Sequence, residues 1–369
     1  MRLRPIAIAL LAAVASAEKT AAVAEPGPSI GPYRVETVAE GVFAVVPEEP
    51  LREPVDGNSL FLITGEGVLV LDTNLLPAKA AAVIGEIKKR TDQPVRWVVY
   101  THWHDDHVFG SGEYRKAFPN AVFLSHENTR TDMDASALPV LKEAPAALKR
   151  AEERLAKGVK SDGQAMTDAE KKDFAGRIAE YRGFVEMMST ADPVLPGLTL
   201  REGVTLHAGG REIVLRHFGR GNTRGDLVVW LPKERVLASG DLLVAPTPFG
   251  IGSFFGDWIQ TLGKLEALDP AVIVPGHGPV MRDRAYLQQV RRLLESTLSQ
   301  AKAAAAKGLS LEDARKAVDL EEFRRQFVGD DKAKNEAFQQ YFVNPGVERA
   351  YREATGTLDE AAERYKGGR

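Results

Sequence analysis

The chain has 369 residues, of which 44% are hydrophobic and 27% are charged, and these values are typical of a folded, water-soluble protein. Its net charge of −3 and its pI near 6.2 give no basic surface of the kind that binds nucleic acid. The chain has no cysteine, so disulfide bonds and thiolate metal ligands are both excluded.

The N-terminus has the pattern of a secretory signal peptide. Residues 1–4 carry two arginines, residues 6–14 are apolar, and residues 15–17 fit a small-x-small cleavage site. The pattern predicts that residues 1–17 are removed and that the mature protein is periplasmic or secreted. A retained membrane helix is the alternative, but the apolar run is too short for stable membrane insertion. Residues 18–32 are rich in Ala, Pro and Gly and predict a flexible leader.

Apolar patterning predicts the secondary structure of the next segment. The predicted elements are strands within Tyr33–Val46, Ser59–Thr64, Val68–Asp72 and Val95–Tyr100, and a helix over Leu75–Arg90. Residues 47–58 are polar and proline-rich, so they predict a loop, which is a candidate flap over an active site.

The later segments alternate between helical and strand patterns. Residues 137–190 are rich in Ala, Lys, Glu and Arg and predict two or three inserted helices, which either wall the active site or support a homodimer. Short apolar strands resume at Leu198 and continue to Val274. Residues 284–369 predict a helical extension with a polar end. This order of elements indicates an α/β or α+β layered protein with its helices outside.

Three of the seven histidines follow the buried strand that ends at Tyr100, in the pattern His102-x-His104-x-Asp106-His107. A strand end can direct such side chains to one point. Imidazole and carboxylate are good ligands for a divalent ion such as zinc. The spacing therefore predicts a metal site rather than three solvated histidines.

Two later strand ends supply further donors. An apolar run ends at Asp241, and another ends at His277 between two glycines. A two-metal hydrolase needs ligands that converge from distant parts of the chain. The alternatives are a turn residue for Asp241 and a helix-start residue for His277. His126, which follows a predicted strand, is interpreted as a half-exposed loop residue rather than a ligand.

These three motifs together resemble the signature of the metallo-β-lactamase superfamily of metal-dependent hydrolases. The resemblance covers about residues 38–282. It implies an α+β fold, a four-layer αββα sandwich over residues 33–283, with the helical insertion at 137–190 and the C-terminal extension from residue 284.

The resemblance also implies a ligand set. His102 and His104 would hold a first metal, Asp106, His107 and His277 a second, and Asp241 would bridge them. In the segment Gly221-Asn222-Thr223-Arg224-Gly225-Asp226, however, Asn222 stands where the family has a histidine ligand. An amide oxygen is a harder, weaker donor than imidazole. Three outcomes stay open: Asn222 ligates the first metal, His217 replaces it, or the first site is empty.

The implied chemistry is hydrolysis assisted by Zn²⁺, as one or two ions, or by another divalent metal. Asp106 would be the catalytic group that orients the nucleophile or passes its proton to the leaving group. The substrate would be a small molecule with an amide or ester-like bond, such as a β-lactam, lactone or thioester. A metal-binding protein with little or no catalysis is the alternative. Phe249, Phe254 and Phe255 are candidates either for the walls of an apolar pocket or for core packing.

Overall fold

Two β-sheets packed face to face form the centre of the molecule. The computed structural model describes residues 31–51 and 55–358. The predicted signal peptide, nearly all of the predicted leader and the polar end of the chain lie outside these residues.

The two sheets contain the twelve strands of the described residues. The first sheet has the order β1-β2-β3-β4-β5-β6-β7 and the second has the order β12-β11-β10-β9-β8. Their bounds are β1 Tyr33–Ala39, β2 Val42–Pro47, β3 Ser59–Thr64, β4 Gly67–Leu71, β5 Val95–Val99, β6 Val122–His126, β7 Leu198–Leu200, β8 Gly203–Ala208, β9 Arg211–Arg216, β10 Val228–Leu231, β11 Val236–Val244 and β12 Val272–His277. Strands β4 to β7 run parallel to one another, as do β11 and β12, and the remaining pairs are antiparallel.

Helices cover the outer faces of both sheets. Their bounds are α1 Pro77–Lys88, α2 Asp105–Val108, α3 Ser111–Ala117, α4 Glu127–Asp132, α5 Leu138–Lys157, α6 Asp168–Met187, α7 Phe255–Ala267, α8 Ala285–Ala306, α9 Leu311–Ala317, α10 Glu321–Val328, α11 Lys332–Ala337 and α12 Asn344–Ala354. Two π-helical segments, Met133–Ala137 and Phe338–Val343, continue α4 into α5 and α11 into α12. None of the described helices has both the length and the apolar character needed to cross a bilayer.

Alternation along the strands separates the core into layers. In β4, Val68 and Val70 face α1, whereas Leu69 and Leu71 face the second sheet. In β11, Val236 packs between the sheets. Successive side chains of a strand point to opposite faces, so each sheet buries one face against its partner and the other against helices. The predicted α+β class and four-layer αββα sandwich are confirmed.

The helices between β6 and β7 pack against the first sheet and also contact the loop between β9 and β10. Tyr181 and Phe184 of α6 join the apolar layer beside that sheet. At the end of α4, Asp132 accepts two hydrogen bonds from Arg224, with donor–acceptor distances of 2.5 and 2.7 Å. This pair is largely buried, so it fixes the turn that carries Asn222 to the helical layer.

The C-terminal helices share a core with the second sheet. Leu293 and Leu294 of α8 and Val347 of α12 are buried in one cluster with Trp258 of α7 and Leu237 of β11. The helical extension predicted from the sequence is therefore packed on the sandwich through a continuous apolar layer.

Replacing Leu294 by alanine tests this shared core. The side chain is fully buried, so Leu294→Ala is expected to lower the free energy of unfolding by about 2–5 kcal/mol. Urea denaturation followed by circular dichroism measures the change. Ser299→Ala, at an exposed position of the same helix, is the control, with an expected change within about 0.5 kcal/mol. Equal effects of the two substitutions would show that α8 is not part of the cooperative core.

Candidate metal centre

Strand ends from both sheets bring the predicted donors together. The loop after β5 carries the histidine motif, and β12 ends at His277. Asp241 differs from the prediction, because it lies at an irregular point inside β11 rather than at the end of the strand. Gly240 has a φ of 54°, a conformation that glycine adopts readily, and this kink turns the Asp241 side chain towards the histidines.

The first donor group consists of His102, His104 and Asp241. His102 Nε2 lies 2.9 Å from His104 Nδ1 and 3.5 Å from Asp241 Oδ2. His104 Nδ1 lies 4.0 Å from the same carboxylate oxygen. One ligand atom of each residue is within 4.8 Å of the others, so these atoms could surround a single ion.

The second donor group consists of Asp106, His107 and His277. His277 Nε2 lies 3.0 Å from Asp106 Oδ2 and 3.3 Å from His107 Nε2. The other oxygen of Asp241, Oδ1, is 3.2 Å from His107 Nε2 and 3.5 Å from His277 Nε2. Asp241 thus presents one carboxylate oxygen to each group, as a bridging ligand would.

Unpaired polar atoms show that the donor set suits a cation. Two of the buried side-chain atoms without a hydrogen bond among the described residues are Asn222 Oδ1 and Asp241 Oδ1, the latter in ion-pair contact with His107 and His277. A buried oxygen without a partner is costly, and a coordinated cation would remove that cost. Nitrogen and oxygen donors without thiolate fit zinc or another divalent ion of borderline or harder character.

Burial and mutual contact shift the pKa values of the donors in opposite directions. Burial lowers the pKa of His102 to about 4, and proximity to His107 adds to the shift. Burial also lowers the pKa of His107, but the carboxylates of Asp106, Asp241 and Asp72 outweigh it and hold that pKa well above its usual value. Burial raises the pKa of Asp241, yet the neighbouring imidazoles hold it well below its usual value. Metal binding would therefore compete with protons on the second group.

Asp72 is a site residue that the sequence reasoning missed. It follows β4 and accepts hydrogen bonds from Thr101 N at 2.8 Å and Thr101 Oγ1 at 2.7 Å. It also contacts His107 Nδ1 at 2.8 Å. This contact directs His107 Nε2 towards the second group and fixes the ring. The signal was present in the sequence, because an apolar strand ends at this carboxylate as it does near the other donors.

Asn222 lies in the loop between β9 and β10 and is almost fully buried. Its Nδ2 donates to the carbonyl oxygen of Phe249 at 3.0 Å, which fixes the amide and leaves Oδ1 as the free acceptor. The ring of Phe249 contacts that of His104, with centroids 5.7 Å apart. Phe249 therefore links Asn222 to the first donor group.

His217 and His126 form a separate pair away from both donor groups. His217 Nδ1 donates to the carbonyl oxygen of Asp226 at 2.7 Å, and its ring centroid lies 4.3 Å from that of His126. His126 is 4% exposed, so the prediction of a half-exposed loop residue was wrong. It ends β6, and its Nδ1 accepts from Asn128 N, so it caps the start of α4.

The three phenylalanines that follow β11, namely Phe249, Phe254 and Phe255, were predicted either to line a pocket or to pack in the core, and they differ in their surroundings. Phe255 is buried in the core beneath the second sheet, and Phe254 is buried with the guanidinium groups of Arg220 and Arg349 over its ring. Phe249 is half-buried and faces His104. Phe254 and Phe255 are both buried in packing contacts, so of the three only Phe249 remains a candidate for the wall of the site.

The C-terminal helices hold this segment in place. Gly250 N donates to the carbonyl oxygen of Tyr341 at 2.7 Å, and the rings of Phe249 and Tyr341 lie 6.0 Å apart. Glu353 of α12 accepts from Phe255 N at 2.5 Å and from Gly256 N at 2.9 Å, at the start of α7. The wall beside His104 is thus fixed by residues about a hundred positions later.

Asn58, at the end of the predicted flap, is held in place by hydrogen bonds. Asn58 is buried, and its Nδ2 donates to the carbonyl oxygens of Pro275 at 2.8 Å and Gly278 at 2.9 Å. Its backbone N–H donates to Gly276 O at 2.7 Å. These three bonds bracket His277, so the flap interpretation was wrong for this residue, which instead clamps the turn that carries a donor.

An αββα sandwich with two histidine–carboxylate groups at its strand ends defines a class of metal-dependent hydrolase folds. The model of the metallo-beta-lactamase superfamily matches residues 52–277. This match covers more than half of the chain, and the chain belongs to that superfamily.

Similar proteins within the superfamily have different named activities. A linear primary-alkylsulfatase of Pseudomonas sp. (strain ATCC 19151) is 25% identical over 252 residues, which are 63% of this chain and 44% of that protein. The metallo-beta-lactamase IND-1 of Chryseobacterium indologenes is 25% identical over 226 residues, which are 60% of this chain and 71% of that protein. The chain thus spans less than half the length of the alkylsulfatase.

A solved structure extends the likeness to the C-terminal helices. The stereoselective inverting sec-alkylsulfatase Pisa1 from Pseudomonas sp. aligns with a TM-score of 0.61 and 15% identity, covering 89% of this chain and 51% of that one. At this identity the likeness concerns the fold alone, and it shows that the shared fold reaches beyond the sandwich.

Replacing Asp72 by alanine tests its role in orienting His107. Loss of the carboxylate leaves His107 Nδ1 without its partner, so we expect zinc affinity to fall about 10–100-fold. Calorimetric titration of the metal-free protein with zinc measures it, and circular dichroism checks the fold. Asp92→Ala, at an exposed turn position, is the control. Unchanged affinity in a folded Asp72→Ala variant would contradict the assignment.

Proposed function

We propose that this protein is a metal-dependent hydrolase that cleaves an amide or ester-like bond in a small molecule, with Zn²⁺ as one or two ions or another divalent metal. The observation that carries the proposal is the position of Asp241, whose two oxygens face separate histidine groups. A bridging carboxylate between two open donor groups is typical of hydrolases that hold two ions about 3.5–4 Å apart.

Each donor has a place in this proposal. His102, His104 and Asn222 would hold the first ion, Asp106, His107 and His277 the second, and Asp241 would bridge them. His217 is held away from a ligand role, because its ring packs on His126 and its Nδ1 donates to the carbonyl oxygen of Asp226. This favours Asn222 as the third ligand of the first ion. The free Oδ1 of Asn222 supports the same assignment.

The protein groups around the donors would prepare the site for hydrolysis. The chemistry that a divalent ion would supply is Lewis acidity. It would polarise the scissile bond and lower the pKa of water to about 7. Asp106 lies between His107 and His277 and is half-buried, so it can orient the attacking water or pass its proton to the leaving group. Trp103 and Phe249 flank the ring of His104 and shield it from solvent.

The named activities of similar proteins define which bonds to test. β-Lactams, lactones and thioesters are the amide and ester-like candidates, and alkyl sulfates join them because an alkylsulfatase is among the similar proteins. Turnover of any of these by the metal-loaded protein supports the proposal. Retained metal with no turnover across the whole set would instead support a metal-binding protein with little or no catalysis.

Replacing Asp106 by alanine tests the catalytic assignment. We expect Asp106→Ala to reduce kcat for the best substrate by at least about a hundredfold, because proton transfer typically contributes 10²–10⁴-fold. Steady-state kinetics measure the loss, and circular dichroism verifies the fold. Asp330→Ala removes an exposed carboxylate and serves as control. Wild-type kcat in the Asp106→Ala variant would rule out the role given to this residue.

Replacing Asn222 by histidine tests the third ligand of the first ion. An imidazole is a better donor for zinc than an amide oxygen, so Asn222→His is expected to tighten binding of the weaker-bound ion. Titration against a competing chelator measures the affinity. Asn120→His, at an exposed position, controls for adventitious binding by an added histidine. If only this control changes, or neither variant does, Asn222 does not lie at the metal.

A further inference from the structure

A cavity of about 710 Å³ lies between the sandwich and the C-terminal helices. Its volume is within the range of about 300–1,000 Å³ that is common for small-molecule sites. Three parts of the chain line it: residues 49–51, the segments that follow β11 and β12, and the helices α8, α10 and α11.

The cavity lies next to the turn that carries His277 of the second donor group. Pro279 lines it and stands two residues after His277, so their Cα atoms are at most about 7.6 Å apart. Ala245 also lines it, and its backbone N–H donates to the carbonyl oxygen of His277 at 3.1 Å. A molecule whose reacting bond lies at the donor groups could therefore extend a substituent into this space.

The walls of the cavity are suited to an uncharged group. Leu51, Pro246 and Phe327 contribute apolar surface. The hydroxyl of Tyr286 donates to the carbonyl oxygen of Val244, so this residue presents its ring rather than a free polar atom. The amide of Gln326 donates to Glu322 in its own helix.

The charged residues among the described lining residues are Glu49, Asp331 and Lys334. Lys334 pairs with Asp331 at 3.7 Å, and Asp331 is exposed at the rim. Among the described residues of the lining, Lys334 is the only cation, and its charge is offset by this carboxylate. The cavity therefore offers no built site for an anion, and burial of apolar surface is the interaction it provides.

We propose that this cavity is a subsite for an apolar alkyl or aryl substituent of the substrate, so that the preferred substrates have a polar scissile group and an apolar tail. The inference rests on the proposed hydrolase function. If the tail enters the cavity, each added methylene improves kcat/KM by up to about fourfold until the cavity is filled.

A series of 4-nitrophenyl esters from acetate to decanoate, assayed with the metal-loaded protein, tests the subsite. Ala333→Trp, from an exposed position on α11 that lines the cavity, should fill it. This variant is expected to lose the preference for long chains while it hydrolyses the acetate ester as the wild type does. Ala303→Trp, on the exposed side of α8, is the matched control and should keep the preference. Gln289→Trp fills the same cavity from α8 if the first variant does not fold.

A binding measurement separates failure of the subsite from failure of the hydrolase proposal. Decanoate is titrated by calorimetry into the wild type, the Ala333→Trp variant and the control. Weaker binding to Ala333→Trp alone supports the subsite, even if no ester is hydrolysed and the proposed function fails. Ester turnover with no dependence on chain length, or decanoate binding that Ala333→Trp leaves unchanged, overturns the subsite while the hydrolase proposal stands.

Discussion

The buried carboxylate of Asp241, enclosed by imidazoles from two chain segments, is the constraint on which the rest of this structure depends. A buried charge is costly unless it is paired. Here His102, His104, His107 and His277 all lie within 4.0 Å of its oxygens. The two sheets must therefore be held together at the end where these residues meet, and the apolar layer between the sheets provides that rigidity.

The backbone of residue 276 passes close to the Asp241 carboxylate, and this explains why a glycine precedes His277. A β-carbon at position 276 would lie 1.9 Å from Asp241 Oδ1. This distance is too short for any non-bonded contact, so only glycine fits there. The proline–glycine–histidine–glycine turn is thus a steric requirement of the centre as well as a family signature. Asn58, which bonds to the carbonyl oxygens on both sides of His277, holds the same turn from the first sheet.

The sequence alone predicted the sandwich and the identity of the donors, because both depend on local patterns, whereas Asp241 lies inside β11 rather than at its end. A buried strand shows as an apolar run, and a ligand at its exit shows as the residue that interrupts the run. The parts that were missed depend on contacts between distant segments. Asp72 matters through Thr101 and His107, and the burial of His126 results from packing against His217. Phe254 and Phe255 are as aromatic as Phe249, and only the path of the chain decides which one faces a donor.

The bonds from Tyr341 and Glu353 to the segment after β11 have a consequence for how such a centre can change. The strands that carry the donors are held by the interior of the sandwich and tolerate little variation. The surface beside His104 is supported instead by helices at the far end of the chain. Substrate selectivity could then change through substitutions in those helices while the coordinating atoms keep their positions. Different segments of the chain would thus determine reactivity and substrate recognition.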